Sequence, residues 1–596
     1  MQSKLEMSPA GRHHKLSPPH LNLRRSRSYQ HEKLPTSATS SRFSFNHLFY
    51  SPPPSPGLPA LVPRAKKSPA RARPTRVFRT LVWVAGVLFL VYVVIHVIQP
   101  HVDLSAMRRA YASWGREEHE EGLPDFPTPI MVKDMLGRSS WTVSIPKDYE
   151  FPLGVMEYAG IMDSCQEMSS TVRDLKSWTR RGDRQTSVRD YGRPDPNYVD
   201  VRQAEKKGLL PTPSVDQQKN LKRKSSQGNL VGVKEDPSMP ECEKSMTVVL
   251  ETDDAGLGKT LMMLWTFYGI AQDQGRAFFV DDSWWAYGKY TSMFSPPPVP
   301  DCRPPPRHEM VPCPSQASHL VVSSATAQHV LMDSLSTSTR ADMQTDDEER
   351  TRRVLFDLAR SGYEALFHVV KEDADYVERR VNELAAKAAQ EGRHEATTPV
   401  AGVHIRRGDR HPLNFPYRDS YIPNEVYSDA ARAAVSSEAP VDPLLVVASD
   451  DPTIYDAADF QGAHRAQERI KLASKVPGPK GPRNPHVFHR FVDEGFGWEG
   501  GFFSAMFWNL GSTRSAGLAT PGNARNANEE TVKLRGYLGR AYVLDLAVLA
   551  KSSDVVVCGV GSMGCRLLGV MMGWEAVEEG RWVNVDGEHG WMGLTW

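Results

Sequence analysis

Three runs in the second half of this 596-residue chain are apolar almost without a break: PVAGVHI (399–405), PLLVVAS (443–449) and DVVVC (554–558). A strand with one wet face alternates apolar and polar residues. An unbroken apolar strand needs cover on both faces, and the fold that supplies it is a parallel sheet between layers of helix. Helical patterns separate the runs, near 426–435, 452–459 and in AYVLDLAVLAKS (541–552). After DVVVC come a helix, MGCRLLGVMMGW (563–574), and a last strand, RWVNVD (581–586). This alternation predicts a doubly wound, Rossmann-like α/β unit. Upstream, MTVVLE (246–251), the helix LMMLWTFYGIAQ (261–272) and GRAFFVDD (275–282) predict a strand–helix–strand unit of the same grammar. A long helix is predicted over about 348–389, and residues 296–347 are read as loop-rich.

The first part of the chain has a different composition. Residues 1–79 are rich in Ser, Pro, Arg and Lys and predict a disordered tail. TLVWVAGVLFLVYVVIHVI (80–98) is continuous, uncharged and long enough to cross a bilayer. Basic residues crowd its amino-terminal side, so the positive-inside rule puts the tail in the cytosol and the bulk in a lumen. Residues 99–140 are expected as a stem and 141–240 as a lumenal region with a polar linker, including an apolar patch from Trp141 to Cys165. The α/β portions are then 241–395 and 396–596. All six cysteines follow residue 98, where an oxidising compartment would permit disulfides, and Cys302–Cys313 is the expected pair. There is no CxxC pattern, and the formal net charge of +1 gives no basis for a nucleic-acid partner.

Charged residues gather where strands end, which is where doubly wound folds bind ligands. In VHIRRGDR (403–410), His404 closes a strand and Arg406, Arg407 and Arg410 crowd the turn, as a diphosphate would require. The same letters recur in TRRGDR (179–184) within a polar stretch and without a buried strand, so strand context separates the two copies. PLLVVAS ends at Asp450 and Asp451, which suit a ribose, the arginines, a metal or simple helix capping. GVGSMG (559–564) enters a helix whose amino end offers N–H groups to an anion. The loop DDAGLGKT (253–260) looks like a phosphate-binding loop, but Asp253 stands where that loop carries glycine, and no acidic strand partner is evident.

Taken in order, HIRRGDR, VVASDDP and LDLAVLAKSSDVVVCGVGSMGCR resemble the fucosyltransferases that use GDP-fucose, closest to the α-1,6 group. MTVVLETDDAGLGKTLMMLW and GRAFFVDDSWWAY extend the resemblance upstream. It implies a fold similar to GT-B, with a Rossmann-like C-terminal half that binds the nucleotide sugar. It also implies inverting transfer from GDP-fucose to a glycan or glycoprotein in the Golgi lumen, with no obligatory metal or cofactor. Gly256, Leu257, Gly258 and Lys259 would border GDP. His404 and Asp545 would lie near the nucleotide, and Gly561, Ser562 and Met563 at the diphosphate turn. Asp450 and Asp451 match acidic positions, Arg406 would neutralise the leaving group, and Tyr427 matches a family tyrosine. The general base would be Asp419 or Asp409. Three alternatives are kept: transfer from another nucleotide sugar, a glycan-binding homologue without catalysis, and a membrane-tethered ATPase.

Overall fold

The computed structural model describes residues 124–594, except 125, 134–136, 147–148, 150, 180–193, 211–229, 234–237, 253–255, 338–347, 393–397, 408–411, 419, 436–441, 474–494 and 497–526. All of them belong to one compact unit, Glu118–Trp596. The predicted tail, membrane segment and most of the stem lie outside the described residues, and no described helix is long and apolar enough to cross a membrane.

The chain enters through an antiparallel pair, β1 (Thr128–Lys133) and β2 (Ser139–Ser144), backed by α1 (Val155–Thr179). The apolar patch expected from Trp141 is thus a strand and a helix. The region read as a linker contains the end of α1 and a short helix, α2 (Val201–Lys206).

A three-stranded parallel sheet follows. β3 (Ser245–Val249) leads through α3 (Leu257–Asp273) to β4 (Ala277–Asp281), and β5 (His319–Val322) lies on the other side of β3. β5 corrects the loop-rich reading of 296–347, as does α4 (Ala327–Thr337). Its four residues, HLVV, are too short to show a period and are flanked by Pro and Ser. Pairing with β3 makes them a strand.

The long helix predicted over 348–389 is two, α5 (Glu348–Leu366) and α6 (Lys371–Glu391). Between them, Ser295 N donates to His368 O at 2.7 Å and Val370 N to Met293 O at 3.0 Å. Those bonds to a distant loop replace helical ones, and β-branched Val369 and Val370 concede little helix propensity in the exchange.

α5 crosses α3 with the two backbones in contact. A Cβ on Gly269 would lie 2.3 Å from Leu358 O, and one on Gly362 would lie 2.1 Å from Trp265 O. Trp265 then packs edge-on against Tyr363 and Phe367. A carbonyl fixed in a helix cannot step aside, so Gly362→Ala should force the helices apart. Overpacking of this kind costs about 3 kcal/mol. Urea unfolding should register that loss, whereas Gly160→Ala in α1, whose Cβ would meet nothing within 4 Å, should cost less.

The second sheet has five parallel strands in the order β10–β9–β6–β7–β8. β6 is Val400–Ile405, β7 Leu444–Ser449, β8 His464–Arg465, β9 Val555–Cys558 and β10 Trp582–Asn584. α7 (Asn424–Val435) links β6 to β7, α8 (Glu529–Ser552) precedes β9, and α9 (Met563–Met572) with α10 (Trp574–Glu578) joins β9 to β10. Successive residues point into different cores. Val446, Ala448, Val556 and Cys558 join the core that holds α8, while Val447, Val555, Val557, Ala401 and Val403 join the one under α7. Cover on both faces is why these runs do not alternate. The helix expected at 452–459 is instead two short 3₁₀ turns, Pro452–Asp456 and Ala458–Phe460.

The expected Cys302–Cys313 pairing is not formed. Cys302 bonds Cys242, Cys313 bonds Cys165, and Cys558 bonds Cys565. Cys242 and Cys302 have Cα atoms 5.0 Å apart, within disulfide reach. That proximity comes from pairing of Glu241 with Arg303, a contact that separation along the chain cannot reveal.

Candidate functional site

After β6 the chain builds outward to β7 and β8, then returns to place β9 on the other side of β6. The strand order therefore reverses between β6 and β9, where the two turns diverge and leave a crevice at the carboxyl ends. Register sets His404 beside Cys558 across this point and beside Ala448 on the other side. Arg406 leaves β6 on one side of the crevice and Gly559–Ser562 leaves β9 on the other. Arg406, Tyr427, Gly559, Gly561 and Ser562 line one cleft there.

Arg406 is largely buried and donates from Nη1 to Asp450 Oδ2 at 2.5 Å. The other oxygen of Asp450 accepts from Arg407 N at 2.7 Å. Burial pushes the Asp450 carboxyl up, against the opposing pull of Arg406 and of that amide. Asp450 thus braces the arginine from beneath, and a second carboxylate of the pair has another task. Asp451 accepts from Thr453 N at 3.0 Å and Thr453 Oγ1 at 2.6 Å, capping the following 3₁₀ turn.

Arg407 turns toward the start of α7. Its Nη2 donates to Asn424 Oδ1 and Ile422 O, its guanidinium lies 5.2 Å from the Tyr421 ring, and Nε is 3.8 Å from Asp451. It ties the turn to α7 and does not line the cleft. Asp409, Arg410 and Asp419 lie outside the described residues.

His404 is buried, and its ring meets Tyr542 of α8 edge-on with centroids 6.5 Å apart. Burial first, and Arg406 second, lower its pKa to about 3. A neutral imidazole suits hydrogen bonding to an uncharged polar group rather than pairing with phosphate. Tyr427 is buried at the cleft wall, its hydroxyl 3.4 Å from where a Cβ on Gly559 would stand. Burial pushes that phenol up, so it keeps its proton and does not serve as a base.

The turn after β9 is tightly held. Cys558–Cys565 closes it covalently, and Ser562 Oγ caps α9 by accepting from Cys565 N at 3.2 Å. Two glycines are there because side chains crowd them. A Cβ on Gly564 would lie 2.5 Å from His404 Nε2, and one on Gly561 would lie 2.5 Å from Asp586 Oδ2.

The glycine loop of the first sheet reaches this place too. Gly256 precedes α3, Leu257 is buried in the core, and Lys259 lies half-buried in the first turn. A Cβ on Gly258 would stand 3.1 Å from both Met563 and the Tyr542 hydroxyl. Thr260 Oγ1, which would face magnesium in an ATP site, donates to Gly256 O at 3.1 Å. Asp545, one turn beyond Tyr542, accepts from Gln467 N at 3.1 Å and holds the segment after β8.

Two residues were not anticipated. Asp586 is buried, lines the cleft, and accepts from Asn414 N at 2.8 Å and Gly561 N at 3.0 Å, joining the turn after β9 to the segment after the arginines. The sequence carried a signal for it, since it follows the last strand as Asp450 follows β7. Tyr542 is one of two tyrosines on α8, and nothing in the sequence marks it.

No protein-family model matches this chain, and no curated protein matches it. Among solved structures it is similar to the α-1,6-fucosyltransferase NodZ co-crystallized with GDP, at 13% identity and a TM-score of 0.25, over 55% of this chain and 92% of that one. It is similar also to fucosyltransferase NodZ from Bradyrhizobium. A selenomethionine form gives 14% identity and a TM-score of 0.25, covering 53% of this chain and 87% of that one. A further structure gives 13% and 0.23, covering 53% and 88%. Scores at this level carry neither an activity nor a ligand to the chain, and the chemistry of the cleft is what supports a function.

Proposed function

We propose that this protein is a fucosyltransferase that moves fucose from GDP-fucose to a hydroxyl of a glycan or glycoprotein, with inversion, in a GT-B-like fold. The observation that carries the reading is the meeting, at one switch point, of a braced arginine and a capped helix amino end. This arrangement suits a leaving nucleoside diphosphate. The donor is taken to be GDP-fucose because the strand-end motifs, in their order, resemble those of GDP-fucose-dependent fucosyltransferases.

In the reaction, an acceptor oxygen attacks the anomeric carbon from the face opposite the diphosphate. The anomeric C–O bond breaks, and GDP leaves with the electron pair. Arg406 neutralises the charge that develops on the diphosphate. Asp419 or Asp409 takes the acceptor proton, and the neutral His404 lies near the nucleotide, behind the Gly564 turn. Thr80–Ile98 would anchor the protein as a type II Golgi membrane protein with the cleft in the lumen. Incubation of the full chain in detergent with GDP-fucose and a mixed glycan pool tests the reading. GDP release that depends on acceptor, with fucose found on the glycan, is the expected result. Hydrolysis of ATP without fucose transfer would overturn it.

Asp586→Asn tests how the turn is held. The new amide must point its NH₂ at one of the two backbone N–H donors that the carboxylate accepts, leaving a buried donor unmet. Such a loss costs about 1–3 kcal/mol. Urea unfolding is expected to register that loss as reduced stability, with the circular dichroism spectrum of the folded protein unchanged.

A further inference from the structure

A second cluster of chemistry-bearing side chains sits at the opposite end of the first sheet, where its strands begin. His319 opens β5 and pairs across the sheet with Ser245, which opens β3. Facing them are His308 and Glu309, on the 3₁₀ turn Arg307–Glu309, and Glu205 on α2. We infer that Glu205, His308 and Glu309 form a three-donor, zinc-class divalent metal site that pins α2 to the edge of the first sheet, with a fourth position for solvent and with His319 packed behind Glu309.

The donor spacing supports this. One ligand atom from each of Glu205, His308 and Glu309 falls within 4.8 Å of the others. His308 Nε2 lies 3.3 Å from Glu205 Oε1, and His319 Nε2 lies 3.7 Å from Glu309 Oε2. In a tetrahedral zinc site with bonds near 2.0–2.1 Å, neighbouring donors stand about 3.3 Å apart. The His308–Glu205 separation matches that ligand–ligand spacing, while His319, 3.7 Å from Glu309 alone, backs that carboxylate.

The surroundings are those of a held site. The His319 side chain is 1% exposed, and its Nδ1 lies 3.0 Å from Ser245 Oγ, so the ring is fixed with Nε2 directed at the cluster. Arg202 donates to Glu309 Oε2 at 2.8 Å and to Glu241 Oε2 at 2.5 Å, and Arg303 holds the other Glu241 oxygen. Cys242–Cys302 locks the neighbouring backbone. Glu205, Glu241, Glu309 and Asp200 gather here with Arg202, Arg303 and Arg276, so carboxylates outnumber guanidiniums by one and a cation is favoured. Glu205 and His308 are 14% and 15% exposed, which gives an ion a way in. Imidazole with carboxylate suits zinc, whereas calcium takes oxygen ligands alone. Cysteine spacing could not reveal such a site, because none of its donors is sulfur.

The test uses the full chain without a histidine tag, stripped with chelator and titrated with Zn²⁺. Expected are one tightly bound zinc per chain, a raised Tm that chelator reverses, and, with Co²⁺, the intense visible absorption of a tetrahedral centre. His308→Ala should abolish all three, and Glu205→Gln should weaken zinc binding at least tenfold, while both keep the wild-type circular dichroism spectrum. Wild-type zinc binding no tighter than that of His308→Ala, or equal stabilisation by Ca²⁺, would overturn the assignment and leave a salt-bridged cluster. The fate of fucose transfer does not enter this readout, so the two proposals fail separately.

Discussion

Arg406→Lys should lower kcat/KM for the donor by about two to three orders of magnitude, equivalent to about 3–4 kcal/mol of transition-state stabilisation. The substitution keeps a positive charge beside Asp450, so the buried carboxylate retains a partner and the fold should survive. What is lost is the fork. The guanidinium can give one arm to Asp450 at 2.5 Å and still aim other N–H groups into the cleft. An ammonium drawn to Asp450 has no rigid second arm to offer. Because charge on the diphosphate grows as the bond breaks, kcat should fall more than KM rises. Arg406→Ala is the less informative variant, since stripping a buried carboxylate of its cation costs about 3–5 kcal/mol by itself. Steady-state kinetics with thermal unfolding on the same samples separates the two effects. Activity within threefold of wild type would remove Arg406 from the proposed chemistry.

Acid should destabilise this protein through His404 more than through any exposed histidine. The folded chain keeps the ring neutral down to about pH 3, against 6.5 for the free side chain. Between those values the unfolded chain binds one more proton, so lowering the pH favours unfolding. Stability is unaffected by this group above pH 6.5, falls as pH drops below it, and levels off under pH 3. With each pKa unit worth about 1.4 kcal/mol, the whole window amounts to about 5 kcal/mol. His404→Gln cannot titrate, so its stability should fall less steeply, by about 1.4 kcal/mol per pH unit between pH 6 and pH 4. Urea unfolding of both proteins across that range makes the comparison, and other titrating groups cancel in the difference. Parallel curves would mean that the ring is protonated in the folded state.

Much of the second sheet was legible because its information is local. An apolar run without alternation can only be a strand covered on both sides, and a charged residue at its end marks the ligand-binding edge. That logic located Arg406, Asp450 and Ser562, and applied once more it would have located Asp586. It failed where a segment takes its structure from a distant partner. The break at 367–370 is made by Met293 and Ser295, and β5 exists because β3 lies beside it. It also failed to tell Asp450 from Asp451. The two are adjacent and chemically identical, yet one holds the arginines and the other caps a turn.

The sequence by itself determined the layered α/β class, the parallel strands of the second sheet and the edge of that sheet on which charge gathers. Hydrophobic burial and backbone periodicity act over a few residues and leave their pattern in the order of the letters. Only the tertiary structure decided the disulfide pairs and the return of the chain that puts β9 beside β6. It alone brought Gly258 against Met563 and assembled Glu205, His308, Glu309 and His319. These are contacts between segments up to hundreds of residues apart. They are set by how layers of side chains fill space together, which no local window of the sequence encodes.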